Sequence, residues 1–169
     1  SLVRLQVRFL FGHAHSLYVF ANCVRTQRMG RLAIRGIIST SMMLLNHERR
    51  VIESVLGCRV TNRYGCEEVG LIASECEHHT GLHVNTDHLY VEIIRSDGAP
   101  VCPGEEGDIV VTDLINHGMP LIRYRVGDRA VLSDSRCACG RGMPLIEKIT
   151  GRTADFLISS PLYSEENAP

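Results

Sequence analysis

The chain has 169 residues, with 18 Lys+Arg against 19 Asp+Glu and a net charge of −1. That length suits one domain, or one and a fraction. An apolar content of 44% with near-zero net charge excludes a disordered chain, and the charge balance excludes a generic binder of nucleic acid or of acidic surfaces. No run of about 18 uninterrupted apolar residues marks a membrane-spanning helix.

The seven cysteines are Cys23, Cys58, Cys66, Cys76, Cys102, Cys137 and Cys139. An odd number at irregular spacing is a poor disulfide framework. It fits a reducing, cytoplasmic setting in which some thiols are buried and others hold metal. Residues 2–24 are only mildly apolar, carry Arg4 and Arg8, and are interrupted by His13 and His15, which argues against a signal peptide. The first residue is Ser1 rather than Met, so a piece of a longer protein is expected.

In chain order, residues 7–11 form a short apolar run, expected as a buried strand. Ser16 is placed to cap a helix with Leu17, Phe20, Ala21 and Val24 on one face and Gly30 past its end. Cys23 and Cys58 lie among apolar residues and are expected in the core. Residues 34–40 predict a second strand. Asn46 is placed to cap a second helix striped by Val51, Ile52, Val55 and Leu56, with Gly57 as its stop. Residues 59–62 predict a third strand. This βαβαβ order implies a parallel sheet covered by helices, an α/β class.

The pattern then changes. Leu89, Val91 and Ile93 alternate with Tyr90, Glu92 and Ile94 before a Ser96-Asp97-Gly98 turn. Further strands are expected at 108–114, 121–124 and 129–132. Short strands split by Gly and Pro predict an antiparallel sheet or partial barrel. The boundary falls near 76–82. It gives an α/β sheet segment over 1–75, a β-rich barrel-like subdomain over 76–158, and a polar tail over 159–169.

Four constellations carry chemistry. Tyr64-Gly65-Cys66-Glu67-Glu68 lies just past a predicted parallel strand, where ligands bind in open α/β sheets. Gly65 would permit a tight turn, the aromatic could stack on a planar base, and a carboxylate could hold Mg²⁺; the plain alternative is an acidic turn in water. Asp128 follows Gly127 and could accept two hydrogen bonds from a ribose diol, or could simply close a turn. Arg152 could reach a phosphate or ribose oxygen with its fork of donors, or sit exposed in a loop. Cys76 and His83 with Cys137-Ala138-Cys139 make a usual donor set for structural zinc. His78, His79 and His88 are rival ligands, and free thiols are the alternative. Cys66 sits beside acids that disfavour its thiolate, and no triad or phosphate-binding glycine loop is present.

In order, these segments are Tyr64-Gly65-Cys66-Glu67-Glu68, Ala73-Ser74-Glu75-Cys76 and Gly81-Leu82-His83-Val84. Met119-Pro120-Leu121-Ile122-Arg123-Tyr124-Arg125 with Gly127-Asp128 follow, then Cys137-Ala138-Cys139-Gly140-Arg141 and Ile149-Thr150-Gly151-Arg152. The arrangement, from about residue 12 to residue 158, resembles the phenylacetate–CoA ligase-like branch of the adenylate-forming enzymes, including the CapK-like proteins. The resemblance implies part of that family's N-terminal domain. It also implies activation of a carboxylic acid, an aryl acid first, by ATP and Mg²⁺ as an acyl-adenylate, then transfer to coenzyme A.

By the same resemblance, Glu68 would hold Mg²⁺ on the phosphates and Tyr64 would pack on adenine. Asp128 would take both ribose hydroxyls and Arg152 would lie near ribose and phosphate. Gly65 and Glu67 belong to the same nucleotide motif, and Ser39-Thr40-Ser41 would line the adenine and acyl pocket. Asp155 would be the hinge of a C-terminal domain, and Cys76, His83, Cys137 and Cys139 a structural zinc site. The sequence departs from the family at Glu67, where Ser or Thr is common. It departs again at Met42, where Glu is common, and at Ala154, which replaces the first acid of a pair. The family's phosphate loop and its C-terminal catalytic lysine have no counterpart here, so little ligase activity is expected of the chain alone. No nucleic-acid or membrane partner is implied. A non-catalytic zinc-stabilised binding module is the alternative, and a thiol enzyme based on Cys66 a third.

Overall fold

The computed structural model describes residues 6–30 and 32–153. Its first part is β1 (Phe9–His13), α1 (Ala14–Thr26), β2 (Gly36–Thr40), α2 (Asn46–Leu56) and β3 (Val60–Cys66). The three strands pair in parallel, with Phe9 opposite Gly36 and Ile37 opposite Val60. Leu17, Ala21 and Val24 of α1 and Ile52 and Leu56 of α2 meet Ile37 and Val60 in one core. Both helices therefore cover the same face of the sheet.

Local chemistry shifts the element ends slightly. α1 begins at Ala14, two residues ahead of the expected cap Ser16, with His13 as its N-cap. α2 is capped at Leu45, whose N–H donates to Glu48 Oε2 at 3.3 Å from the first turn. It ends where Gly57 turns left-handed at φ 66°. Cys23 is exposed rather than in the core, because helical spacing sets it opposite Leu17, Ala21 and Val24. The first strand differs more. Phe9 and Phe11 are 71% and 67% exposed, not buried, because Leu10 takes the helix-covered face and the alternation turns them to the other side.

β3 is the joint of the molecule. Through Asn62 it pairs in parallel with β2, and from Arg63 onward it pairs antiparallel with β4 (Gly70–Glu75). There follow β5 (Leu82–Val84), β6 (Leu89–Ile94), β7 (Glu106–Asp113), β8 (Tyr124–Leu132) and β9 (Leu145–Arg152). The strand order is β1-β2-β3-β4-β5-β9-β8-β7-β6. Ile72, Leu82, Leu89, Ile109, Val126 and Ile146 share a second core, so strands from both ends of the antiparallel run close over one interior. The α/β class and the order expected from the sequence, a parallel start followed by antiparallel strands, are both present; the two parts share one continuous sheet through β3.

Three strands were not expected: β4, β5 and β9. β5 has only three residues, β4 opens on Gly70 and closes on Ser74-Glu75 around a brief apolar centre, and β9 presents Glu147 and Lys148 to solvent, which breaks its apolar signal. The strand expected at 121–124 does not form, since residues 121–123 lie outside any strand; β8 starts at Tyr124 and runs on through the strand expected at 129–132, because Gly127-Asp128 sits within a bulged ladder rather than a turn. No described helix is long and apolar enough to cross a membrane.

Candidate functional site

An open cleft of about 1100 Å³ runs along the joint. Its lining includes Thr40, Ser41, Tyr64, Gly65, Glu67, Glu68, Asp128, Lys148 and Arg152. Gly65 is required there for a reason other than the turn expected of it. The ladder shifts register between Tyr64 and Gly65, and a Cβ at Gly65 would collide with the carbonyl oxygen of Gly70. The tight turn is carried by Gly70, at φ 72°.

β8 and β9 place Asp128 opposite Arg152 in register. Arg152 Nε lies 3.5 Å from Asp128 Oδ1, and the Tyr64 hydroxyl donates to Asp128 Oδ2 at 2.8 Å. Burial pushes the Tyr64 phenol far above its ordinary pKa, and the hydrogen bond to Asp128 pushes it further. It therefore stays a donor. Asp128 keeps free lone pairs on both oxygens, enough to accept two hydroxyls of a diol.

Glu68 is exposed at the cleft edge. Its own backbone N–H, then the Cys66 thiol and the Tyr124 hydroxyl, hold its carboxyl below the usual range. The Tyr124 hydroxyl donates to Glu68 Oε1 at 2.9 Å, and that bond raises the Tyr124 phenol. The sequence motif alone assigns Tyr124 no partner. Its place at the start of β8, on a strand not expected to be continuous, hid the contact. Burial first of all pushes the Cys66 thiol up, and among the described residues no hydrogen bond joins it to a histidine. That leaves it without the base a nucleophile needs.

The serine-rich loop is divided. Thr40 and Ser41 line the cleft, whereas Ser39 does not. Ser39 follows Ile37 onto the helix-covered face, fully buried, and its Oγ has no hydrogen-bond partner among the described residues. Asp155 and Ala154 lie outside the described residues.

The second assembly is Cys76, His83, Cys137 and Cys139, whose ligand atoms lie within 4.8 Å of one another. Cys76 Sγ and Cys137 Sγ are 3.5 Å apart, and Cys139 Sγ is 3.4 Å from His83 Nε2. The sulfur separation is far beyond a disulfide bond of about 2.05 Å. It is near the edge of about 3.8 Å set by a tetrahedron with Zn–S bonds of about 2.3 Å. His83 is 6% exposed with Nδ1 unpartnered among the described residues. The Cys139 backbone N–H and then the Thr80 hydroxyl hold the Cys137 thiol down to about 6, while burial raises that of Cys76. Three thiols and one imidazole closing on one point fit a structural zinc ion. The rival ligands stay apart: among the described residues His78, His79 and His88 join no such group.

No family model matches the chain. Phenylacetate–coenzyme A ligase from Thermus thermophilus is 38% identical over 114 residues, 65% of this chain and 26% of that protein. The enzyme of the same name from Escherichia coli is 37% identical over 65% of this chain and 25% of its own length. The chain thus spans about a quarter of the length of the curated relatives it matches. A solved 2-hydroxyisobutyryl-CoA ligase in an open conformation, in complex with 2-HIB-AMP and CoA, superposes with a TM-score of 0.83 at 21% identity. It covers 93% of this chain and 39% of that one. The chain accordingly shares the fold of the matched part of that CoA ligase.

Proposed function

We propose that this chain, a relative of the phenylacetate–coenzyme A ligases, is the nucleotide-binding segment of an ATP-dependent acid–thiol ligase. The carrying observation is the meeting of Tyr64, Asp128 and Arg152 in one cleft whose edge bears the exposed Glu68. A carboxylate oxygen attacks the α-phosphorus of ATP, and the bond to pyrophosphate breaks. The thiol of coenzyme A then attacks the acyl carbon, and AMP leaves.

Each residue has a part suited to its chemistry. Asp128 accepts the two ribose hydroxyls and Tyr64 offers its ring face to adenine while its hydroxyl steadies Asp128. Arg152 places a fork of donors toward ribose and phosphate. Gly65 lets the backbone approach closely, and Thr40 and Ser41 line the entrance shared by adenine and the acid. Glu68 would hold Mg²⁺, which when bound offsets phosphate charge, and Glu67 faces the same cleft. Cys76, His83, Cys137 and Cys139 would hold a structural zinc ion. The free cysteines accord with a reducing, cytosolic setting. An aryl acid is the substrate class favoured by the named relatives.

The ligase is preferred to a non-catalytic zinc-stabilised module because the cleft groups converge as well as the cysteine cluster. The test is ATP–pyrophosphate exchange by the full-length protein carrying this segment, across aryl and aliphatic acids with Mg²⁺. Exchange that depends on an aryl acid is the expected result. No exchange from folded, zinc-loaded protein with any acid would overturn the proposal.

A further inference from the structure

Between the cleft and the cysteine cluster lies a polar network that neither of them uses. Glu75, at the end of β4, has a side chain only 9% exposed and meets three groups. Arg49 Nη2 donates to Oε1 at 2.6 Å, His79 Nδ1 lies 2.8 Å from Oε2, and the Asn62 N–H donates to Oε2 at 2.8 Å. Arg49 Nη1 also donates to the Val60 carbonyl at 2.7 Å. One carboxylate thus ties α2, β3 and the loop after β4 together. A carboxylate this buried is tolerated only while its partners stay in place, and losing one leaves the rest uncompensated.

Two features make this more than local glue. His79 belongs to the loop that also carries Cys76; its N–H donates to the Cys76 carbonyl at 3.1 Å. The next residue, Thr80, has its Oγ1 3.6 Å from Cys137 Sγ. His79 also holds a left-handed backbone, φ 54°, a conformation that histidine adopts more readily than most residues with a Cβ. At the other end, Asn62 stands two residues before Tyr64 on β3, and Asn62, Glu75 and His79 all line the same cleft.

We propose that Glu75 is a positioning residue that passes the state of the Cys76–His83–Cys137–Cys139 cluster, through His79, to Asn62 and hence to the Tyr64–Glu68 segment. This rests on the reading of that cluster as a zinc site. With the cluster closed, the loop is pinned, His79 holds Glu75, and Glu75 holds β3 at the register that presents Tyr64 to Asp128. With the cluster open, the loop relaxes and that hold on β3 weakens.

Hydrogen exchange on the full-length protein carrying this segment, zinc-loaded and chelated, tests this, with cobalt absorbance reporting thiolate ligation. In the wild type, chelation is expected to speed exchange at 76–83 and also at 62–64, by about tenfold at the latter. Glu75→Ala should still take up one cobalt ion, yet exchange at 62–64 should be fast in both metal states. Glu75→Gln, which keeps an acceptor for the Asn62 N–H, should restore slow exchange there without the response to metal. A purely structural role would change both metal states by the same factor and leave their ratio intact. If these variants do not fold, the wild-type comparison decides alone. Chelation that loosens 76–83 and leaves 62–64 unchanged overturns the proposal. A wild type that takes up no cobalt overturns the zinc reading, and this proposal with it.

Discussion

The two halves of the molecule bury their apolar surface in different ways. In the antiparallel half, β4 to β9 close over one interior, and Ile72, Leu89, Ile109 and Ile146 are each at most 1% exposed. In the parallel half, α1 and α2 cover one face only, and Phe9 and Phe11 stand open on the other. A parallel sheet ordinarily has both faces covered. The difference explains where the site is built. Asp128 and Arg152 come from the closed half and Tyr64 and Glu68 from the joint, whereas the open half lines the cleft with the end of β2 at Thr40, with Ser41 after it, and with Phe11 and Arg49.

Removal of the proposed zinc ion should break the contrast most. The Cys76 and Cys137 contact joins positions 61 residues apart, and opening a link over a loop of that length costs about 4 kcal/mol in the chain-entropy account. Chelation, or Cys137→Ser with Cys139→Ser, should lower the thermal midpoint of the antiparallel half before that of the parallel half. Calorimetry with exchange mapping checks the order. Next, Ile109→Ala should cost about 3 kcal/mol in urea unfolding, whereas Phe11→Ala should cost well under about 1 kcal/mol, because Phe11 has little burial to lose. Equal costs would erase the distinction between the halves.

Smaller effects sharpen the site. Tyr64→Phe removes one hydrogen bond to Asp128 and should weaken ATP use several-fold, about 1 kcal/mol, read as a raised KM for ATP in pyrophosphate exchange. The smallest is a pH dependence. The Glu68 carboxyl lies below its ordinary value, so its charge is complete above the ordinary carboxylate range and is lost only as pH falls through the depressed value. Mg²⁺-dependent nucleotide binding should stay flat from neutral pH down through the ordinary range of glutamate. In Tyr124→Phe, which lacks one of the bonds holding Glu68 down, it should fall off at higher pH.

Much of this was readable from the sequence because it is local. Helical periodicity marks α1 and α2, and Gly57 marks the end of α2. Donor chemistry singles out the C-x-C at 137–139 and Cys76 with His83, with His78, His79 and His88 as rivals and the family resemblance favouring the four; their ligand atoms lie within 4.8 Å of one another. What escaped depends on pairing. Whether Ser39 faces cleft or core is set by the register Ser39–Asn62 and by which face the helices take. The exposure of Phe9 has the same origin. β9 carries the adjacent charges Glu147 and Lys148 at the cleft and so lacks an apolar signal, although it supplies Arg152. Tyr124 to Glu68 and Glu75 to Arg49 join positions 56 and 26 residues apart, and no spacing rule brings such pairs together.

Adenylate formation at Glu68 and its neighbours is what we propose for this cleft. Its most direct test is single-turnover formation of the acyl-adenylate by the full-length protein carrying this segment, wild type against Glu68→Ala, with the aryl acid that supports exchange. A hundredfold or so slower adenylate step, with the thioester step from preformed adenylate largely retained, is the result the account predicts, on the scale of removing one electrostatic group from a phosphoryl-transfer site. An adenylate step at the wild-type rate would contradict it.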